Sequence, residues 1–140
     1  MNASGSRYCK CMYFAANALA RKMEKLAESS WKKVNLSPSH GYLLMMIVDF
    51  PGIQPSALVE ELLLAPSTIT RLIEKLEEKK LVTRKTEGKI TNIYPTKKAK
   101  TLRPLLQTCL VEFYENYCAI LGKEESAGLV HAMNALTDKL

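Results

Sequence analysis

Apolar residues recur at helical spacing along most of the chain, and the clearest run is Ile69, Leu72, Ile73 and Leu76. These stand at i, i+3, i+4 and i+7, one stripe of a helix that faces a core. Pro66 has its φ preset for a first helical turn, so the pattern predicts a helix from Pro66 to Lys80. Upstream, Pro55 to Leu63 reads as a short helix with Leu58, Val59 and Leu62 inward, and only Leu64 and Ala65 separate the two. So tight a connection predicts a helix-turn-helix. Downstream, two β-capable runs, Val82–Thr86 and Ile90–Tyr94, flank Glu87, Gly88 and Lys89, which predicts a hairpin with a glycine turn. A helix-turn-helix followed at once by a basic hairpin is a winged helix.

The flanking pattern is helical as well. Arg7 to Ser30 predicts one long helix, with Tyr8, Met12, Ala15, Ala16, Leu19, Met23 and Leu26 at near-heptad steps. Ser37 as N-cap and Pro38 in the first turn open a second helix through Phe50. It is apolar almost all round and therefore belongs at the centre of the domain, although Asp49 has no place in that pattern. Ile53 and Gln54 offer a short strand to the wing. Lys97 to Leu121 forms another long helix, with Leu102, Leu105 or Leu106, Cys109, Phe113, Tyr117 and Ile120 on one side and Pro104 near its start. A last helix from Lys123 places Leu129, Val130, Met133 and Leu136 inward. The fold expected is mainly α with a small β-hairpin wing: an N-terminal dimerisation helix (1–36), a winged helix-turn-helix domain (37–96, wing about 82–95) and C-terminal dimerisation helices (97–140). A long apolar-striped helix at the edge of a small domain exposes its stripe unless a second subunit covers it, so a homodimer is expected.

Length and composition narrow the class. At 140 residues and 47% hydrophobic the chain is one domain's worth and has material for a core. No apolar run approaches the roughly 18–20 residues that span a bilayer, and the first residues lack an apolar signal region. No membrane association and a cytoplasmic location are expected. Cys9, Cys11, Cys109 and Cys118 are too few and too poorly spaced for a disulfide scaffold. No zinc-ligand spacing, nucleophile–base set or phosphate-cradling glycine loop is present, so neither metal, cofactor nor enzymatic activity is expected.

Charge changes the picture more. Residues 66–103 hold eleven Lys and Arg against four Glu, a net of +7 in a chain whose whole net charge is +6. That concentration on the winged helix points to a polyanion. The outer face of the Pro66 helix carries Ser67, Thr68, Thr70, Arg71 and Lys75. Arg can fork onto guanine in a major groove, and hydroxyls can reach bases or phosphates. Arg84, Lys85 and Lys89 on the wing are expected to contact phosphates, which gives affinity without sequence information. The alternative is a winged-helix module for protein–protein contact whose basic face is only solvated.

Three stretches carry a family resemblance: Leu36-Ser37-Pro38, the run from Ala65 to Arg84, and Tyr94-Pro95-Thr96-Lys97-Lys98. Together they resemble the MarR family of regulators, over nearly the whole chain. The wing departs from the pattern: members have a longer loop ending Asp-Arg-Arg, where this chain has Glu87-Gly88-Lys89. The resemblance implies a transcriptional regulator, a repressor by expectation, that binds double-stranded DNA as a homodimer on a pseudo-palindrome. Half-sites would lie about one helical turn, ~10 bp, apart. It also implies affinity modulated by a small-molecule effector or a thiol event. Met12, Met45 and Met46 are read as core in preference to an effector pocket. Cys9, with Tyr13 at i+4 and Tyr8 adjacent, resembles the hydroperoxide-sensing branch of the family, but is read as a small buried hydrophobe of a dimer helix in preference to a sensor.

Overall fold

A computed structural model of the chain describes residues 2–140. Its order is a 3-10 turn (Ala3–Gly5), α1 (Met12–Trp31), a second 3-10 turn (Lys32–Val34), α2 (Pro38–Asp49), α3 (Pro55–Leu62), α4 (Pro66–Glu78), β1 (Val82–Glu87), β2 (Ile90–Pro95), α5 (Lys97–Leu121) and α6 (Lys123–Lys139). Contacts divide the chain into two compact units. One is Trp31–Cys109, and the other joins the residues up to Ser30 with Leu110–Leu140.

The first unit is the winged helix. α2 lies at its centre, opened by Ser37, whose hydroxyl accepts from the His40 backbone N–H at 3.3 Å, with Pro38 in the first turn. Leu43, Leu44 and Ile47 of α2 are buried with Leu58 of α3, Ile69, Ile73 and Leu76 of α4, and Ile93 of β2. Trp31 is buried edge-on to Tyr42 and lies against Gly41; a Cβ there would overlap the indole. The glycine is needed because the ring occupies the space of its side chain. β1 and β2 pair antiparallel from Val82↔Pro95 to Glu87↔Ile90, so only Gly88 and Lys89 form the loop. Gly88 has φ +62, as a two-residue hairpin turn requires at its first central position. Ile53 adds a single bridge to Ile93, a reduced form of the third strand expected there.

α4 stops two residues earlier than its pattern predicts, for a local reason. Leu81 N–H reaches back to the Leu76 carbonyl (2.9 Å) and Lys80 N–H to that of Glu77 (2.9 Å), which is a Schellman closure. The motif puts Lys80 at φ +60 and brings the buried Leu76 and Leu81 to its two ends.

The second unit contains α1 to Ser30, α5 from Leu110, and α6. Its helices form, but three expectations need correction. The first helix starts at Met12 and not at Arg7, because Ser6 diverts the chain: its hydroxyl accepts from Tyr8 N–H (3.1 Å) and its carbonyl from Cys9 N–H (3.1 Å). Met12 is exposed instead of core. Leu129, Val130, Met133 and Leu136 are exposed instead of inward, and Ser126 is the one buried residue of α6. Within this unit Ser30 is fully buried and accepts from Asn116 Nδ2 at 3.3 Å, while Phe113, Tyr114 and Tyr117 pack edge to face. Among the described residues no helix is long and apolar enough to cross a membrane.

Candidate nucleic-acid interface

The strongest candidate surface is built around α4. Ile69, Ile73 and Leu76 are buried while Leu72 is half-buried, so the helix rotation is fixed and its outer face is set by default. Ser67, Thr70, Arg71 and Lys75 are exposed there, and Thr68 is half-buried beside them. Thr70 donates its hydroxyl to the Pro66 carbonyl (3.0 Å), which leaves the oxygen's lone pairs facing outward. Arg71 makes a long contact from Nη2 to Thr68 Oγ1 (3.4 Å) that uses one of its five donors. Lys75 pairs loosely with Glu78 at 3.6 Å, both ends well exposed.

The helix ends add to this surface. Neither Ala65 before α4 nor Gln54 before α3 supplies a side-chain cap, whereas Ser37 caps α2. In α3 the Ala57 N–H is taken by the Gln54 carbonyl (3.1 Å), whereas the first amides of α4 have no side-chain acceptor and are open to water or an anion, the latter favoured by the helix dipole. The turn between the two helices places Leu63 at φ +52 with its side chain in solvent.

The three wing cations differ. Arg84 is not spare: its Nε and Nη2 fork onto Glu77 at 3.3 and 2.8 Å, which ties β1 to the last turn of α4. This hydrogen bonding raises its pKa further, against a small opposing effect of burial. Arg84 is thus a strut that orients the wing more than an open phosphate contact. Glu77, the other half of the strut, was not singled out from sequence. Side chains seven residues apart on one helix share a face but lie about 10 Å apart along it, and these two meet only because the chain reverses at Lys80. Lys85 approaches Glu87 at 3.8 Å with both side chains exposed, and Lys89 sits exposed in the loop. These two lysines are the wing's available cations.

Behind α4, His40 faces Lys79 and Lys75. Burial first, then those two positive charges, lowers its pKa below 6.5. Its Nδ1 lies within hydrogen-bond distance of the Ser37 hydroxyl, and Lys79 Nζ bonds the Asn35 carbonyl at 3.1 Å, so the end of α4 is fastened to the entry of α2.

Cys9 lies in the turns before α1, so the helical relation to Tyr13 does not hold, and both residues are exposed. The expectation of a buried Cys9 is corrected by the same Ser6 turn that delays the helix. Met45 is buried and Met46 half-buried. No cluster of three or more metal-ligating side chains occurs among the described residues.

The MarR family's sequence profile matches residues 34–89, the span from the entry of α2 to the wing loop. A curated relative is YybA of Bacillus subtilis (strain 168), an uncharacterized HTH-type transcriptional regulator, 28% identical over 92 residues. The match takes in 64% of this chain and 61% of that protein, so the chain spans about three-fifths of the relative's length. Among solved structures, the repressor CouR bound to p-coumaroyl-CoA superposes with a TM-score of 0.85 at 13% identity, over 97% of this chain and 98% of the other. MepR of S. aureus in complex with DNA gives 0.77 at 17% identity, over 92% and 98%.

Proposed function

We propose that the chain is a member of the MarR family, a regulator that binds specific double-stranded DNA as a homodimer and represses by occupying a pseudo-palindromic operator. The observation that carries the reading is the exposed edge of α4. An uncapped helix start, three hydroxyls and an Arg71 with donors to spare stand together in the stretch where the chain's positive charge is concentrated. Arg71 forks onto a base edge, Ser67, Thr68 and Thr70 bond bases or phosphates, and Lys75, Lys85 and Lys89 meet phosphates. Arg84 contributes by holding the wing to α4 through Glu77.

DNA binding is assigned to 37–96, and dimerisation to 1–36 together with 97–140. The exposed apolar side chains of α1 and α6, Leu19, Leu129, Val130 and Met133 among them, support a second copy as their cover. An effector shifts the equilibrium between forms with differently spaced recognition helices, which requires that it bind one form more tightly. The ligand held by the similarly folded CouR supports a small-molecule effector.

The test is the salt dependence of binding to a random-sequence duplex. Counterion release predicts a linear fall of log affinity with log salt, and Lys75→Ala lowers the slope by about one phosphate contact without changing sequence preference. Salt-insensitive binding, or none at low salt, would assign the winged helix to protein contact instead.

A further inference from the structure

Three lysines stand where the fold works against them. Lys80 holds left-handed backbone at φ +60, a conformation that glycine adopts without strain. Lys97 opens α5 and Lys100 closes its first turn, at the end where the helix dipole is positive and disfavours cations; that turn has no acidic residue. The two also stand at i and i+3, so their like charges repel across one turn. All three side chains are exposed, and among the described residues none makes an ion pair or a side-chain hydrogen bond.

Their neighbours show the contrast. Lys79 Nζ bonds the Asn35 carbonyl at 3.1 Å and Lys98 Nζ bonds the Lys79 carbonyl at 3.2 Å, so these two lysines serve the fold. In the last turn of α4, Glu77 forks onto Arg84 and Glu78 lies 3.6 Å from Lys75. The charge of Lys80, Lys97 and Lys100 is left uncompensated.

The chain brings the three together. Thr96 donates its hydroxyl to the Lys80 carbonyl at 2.9 Å and its N–H to the Leu81 carbonyl at 3.0 Å, which fixes the residue before Lys97 against Lys80. The same hydroxyl accepts from Ala99 N–H at 3.3 Å, so α5 is already capped and the ammonium groups, not the amides, face outward. The cluster lies wholly inside the winged-helix unit. It is distinct from the edge that begins at Ser67, because α4 has 13 residues and rises about 20 Å between its ends. Local rules broken with no gain inside the fold are expected at functional sites, and three uncompensated ammonium groups attract a polyanion.

We propose that Lys80, Lys97 and Lys100 form a second phosphate-binding patch, which holds the sugar-phosphate backbone of the duplex at the end of α4 remote from Ser67. This rests on the DNA-binding reading above and goes beyond it by assigning a contact to the start of α5. The patch carries no base information; it adds affinity for every sequence.

The experiment measures the affinity of the full chain for a random-sequence duplex between about 50 and 200 mM salt, with chemical denaturation of each variant alongside. Lys80→Gly, Lys97→Ala and Lys100→Ala are each expected to bind roughly five-fold or more weakly at about 0.1 M salt. Each lowers the slope of log affinity against log salt by about one per bound subunit. The fold is not what fails: Lys80→Gly raises the denaturation midpoint, and the two alanine variants leave it unchanged or higher. Lys97→Arg and Lys100→Arg keep the wild-type slope, since either cation neutralises a phosphate. Slopes and affinities equal to wild type would overturn the proposal and leave the cluster to an acidic protein surface. Affinity that falls only together with the midpoint would overturn it as well, because the lysines would then act on the fold. Absence of wild-type binding at low salt is a different result, which removes the DNA-binding reading and this contact with it.

Discussion

Lys80 and Leu63 hold left-handed backbone at the ends of α4 and α3, with φ +60 and +52. A side chain there costs roughly 1–2 kcal/mol per residue, which glycine avoids apart from the extra freedom it gives the unfolded chain. Lys80→Gly is therefore expected to stabilise the protein by about 0.5–1 kcal/mol. The gain should appear as a higher denaturation midpoint with unchanged slope, and Lys80→Ala should show none; equal midpoints for all three would remove the argument. At this scale the sequence was readable where a residue's partner is near in the chain. Ser37 as N-cap, Pro38 in the first turn and Gly88 in the hairpin follow from local rules and are found as expected. Asp49 was unaccountable because its explanation, Arg103, lies 54 residues away. Gly41 gave no signal either, since only the packed Trp31 ring shows why a Cβ cannot fit.

Between elements, what matters is how α4 is held. α4 is fastened at its far end to β1 by Glu77–Arg84, to the entry of α2 by Lys79 on the Asn35 carbonyl, and to the start of α5 by Lys98 on the Lys79 carbonyl. His40 shares the junction with α2, half-buried and facing Lys79 and Lys75. Since burial and both lysines lower its pKa in the fold, the neutral imidazole is the native form and the unfolded chain binds the proton more tightly. Its contribution is complete above the unfolded value of about 6.5 and is lost as pH falls from there toward the folded pKa. The melting temperature of wild type is expected to drop more between pH 7.5 and pH 5.5 than that of His40→Asn; parallel drops would contradict it. Asp49, whose pKa is lowered chiefly by the Arg103 hydrogen bonds, loses its contribution only in the acid carboxylate range and does not confuse the comparison. The elements themselves were largely legible, because period and punctuation are properties of short stretches. The start of α1 was not, since the Ser6 turn competes with a pattern that reads helical through it.

In the whole molecule, periodicity identified the apolar faces but not what covers them. The stripe of α6 was expected inward, and in the single chain it is exposed, as are Tyr8, Met12 and Tyr13. Helical spacing marks a buried face equally well when the burial lies in another copy. The outward face of α4 was legible because its burial is settled inside the winged helix. The shared task of Glu77 and Arg84 was hidden by the chain reversal between them. The central claim, a dimer presenting two α4 edges to one operator, is tested most directly by selecting bound sequences from a randomised duplex pool with wild type and with Arg71→Ala. An enriched inverted repeat with half-sites about 10 bp apart is expected, with loss of that enrichment in Arg71→Ala while salt-sensitive binding persists. No enrichment by wild type, or the same repeat enriched equally by Arg71→Ala, would contradict it.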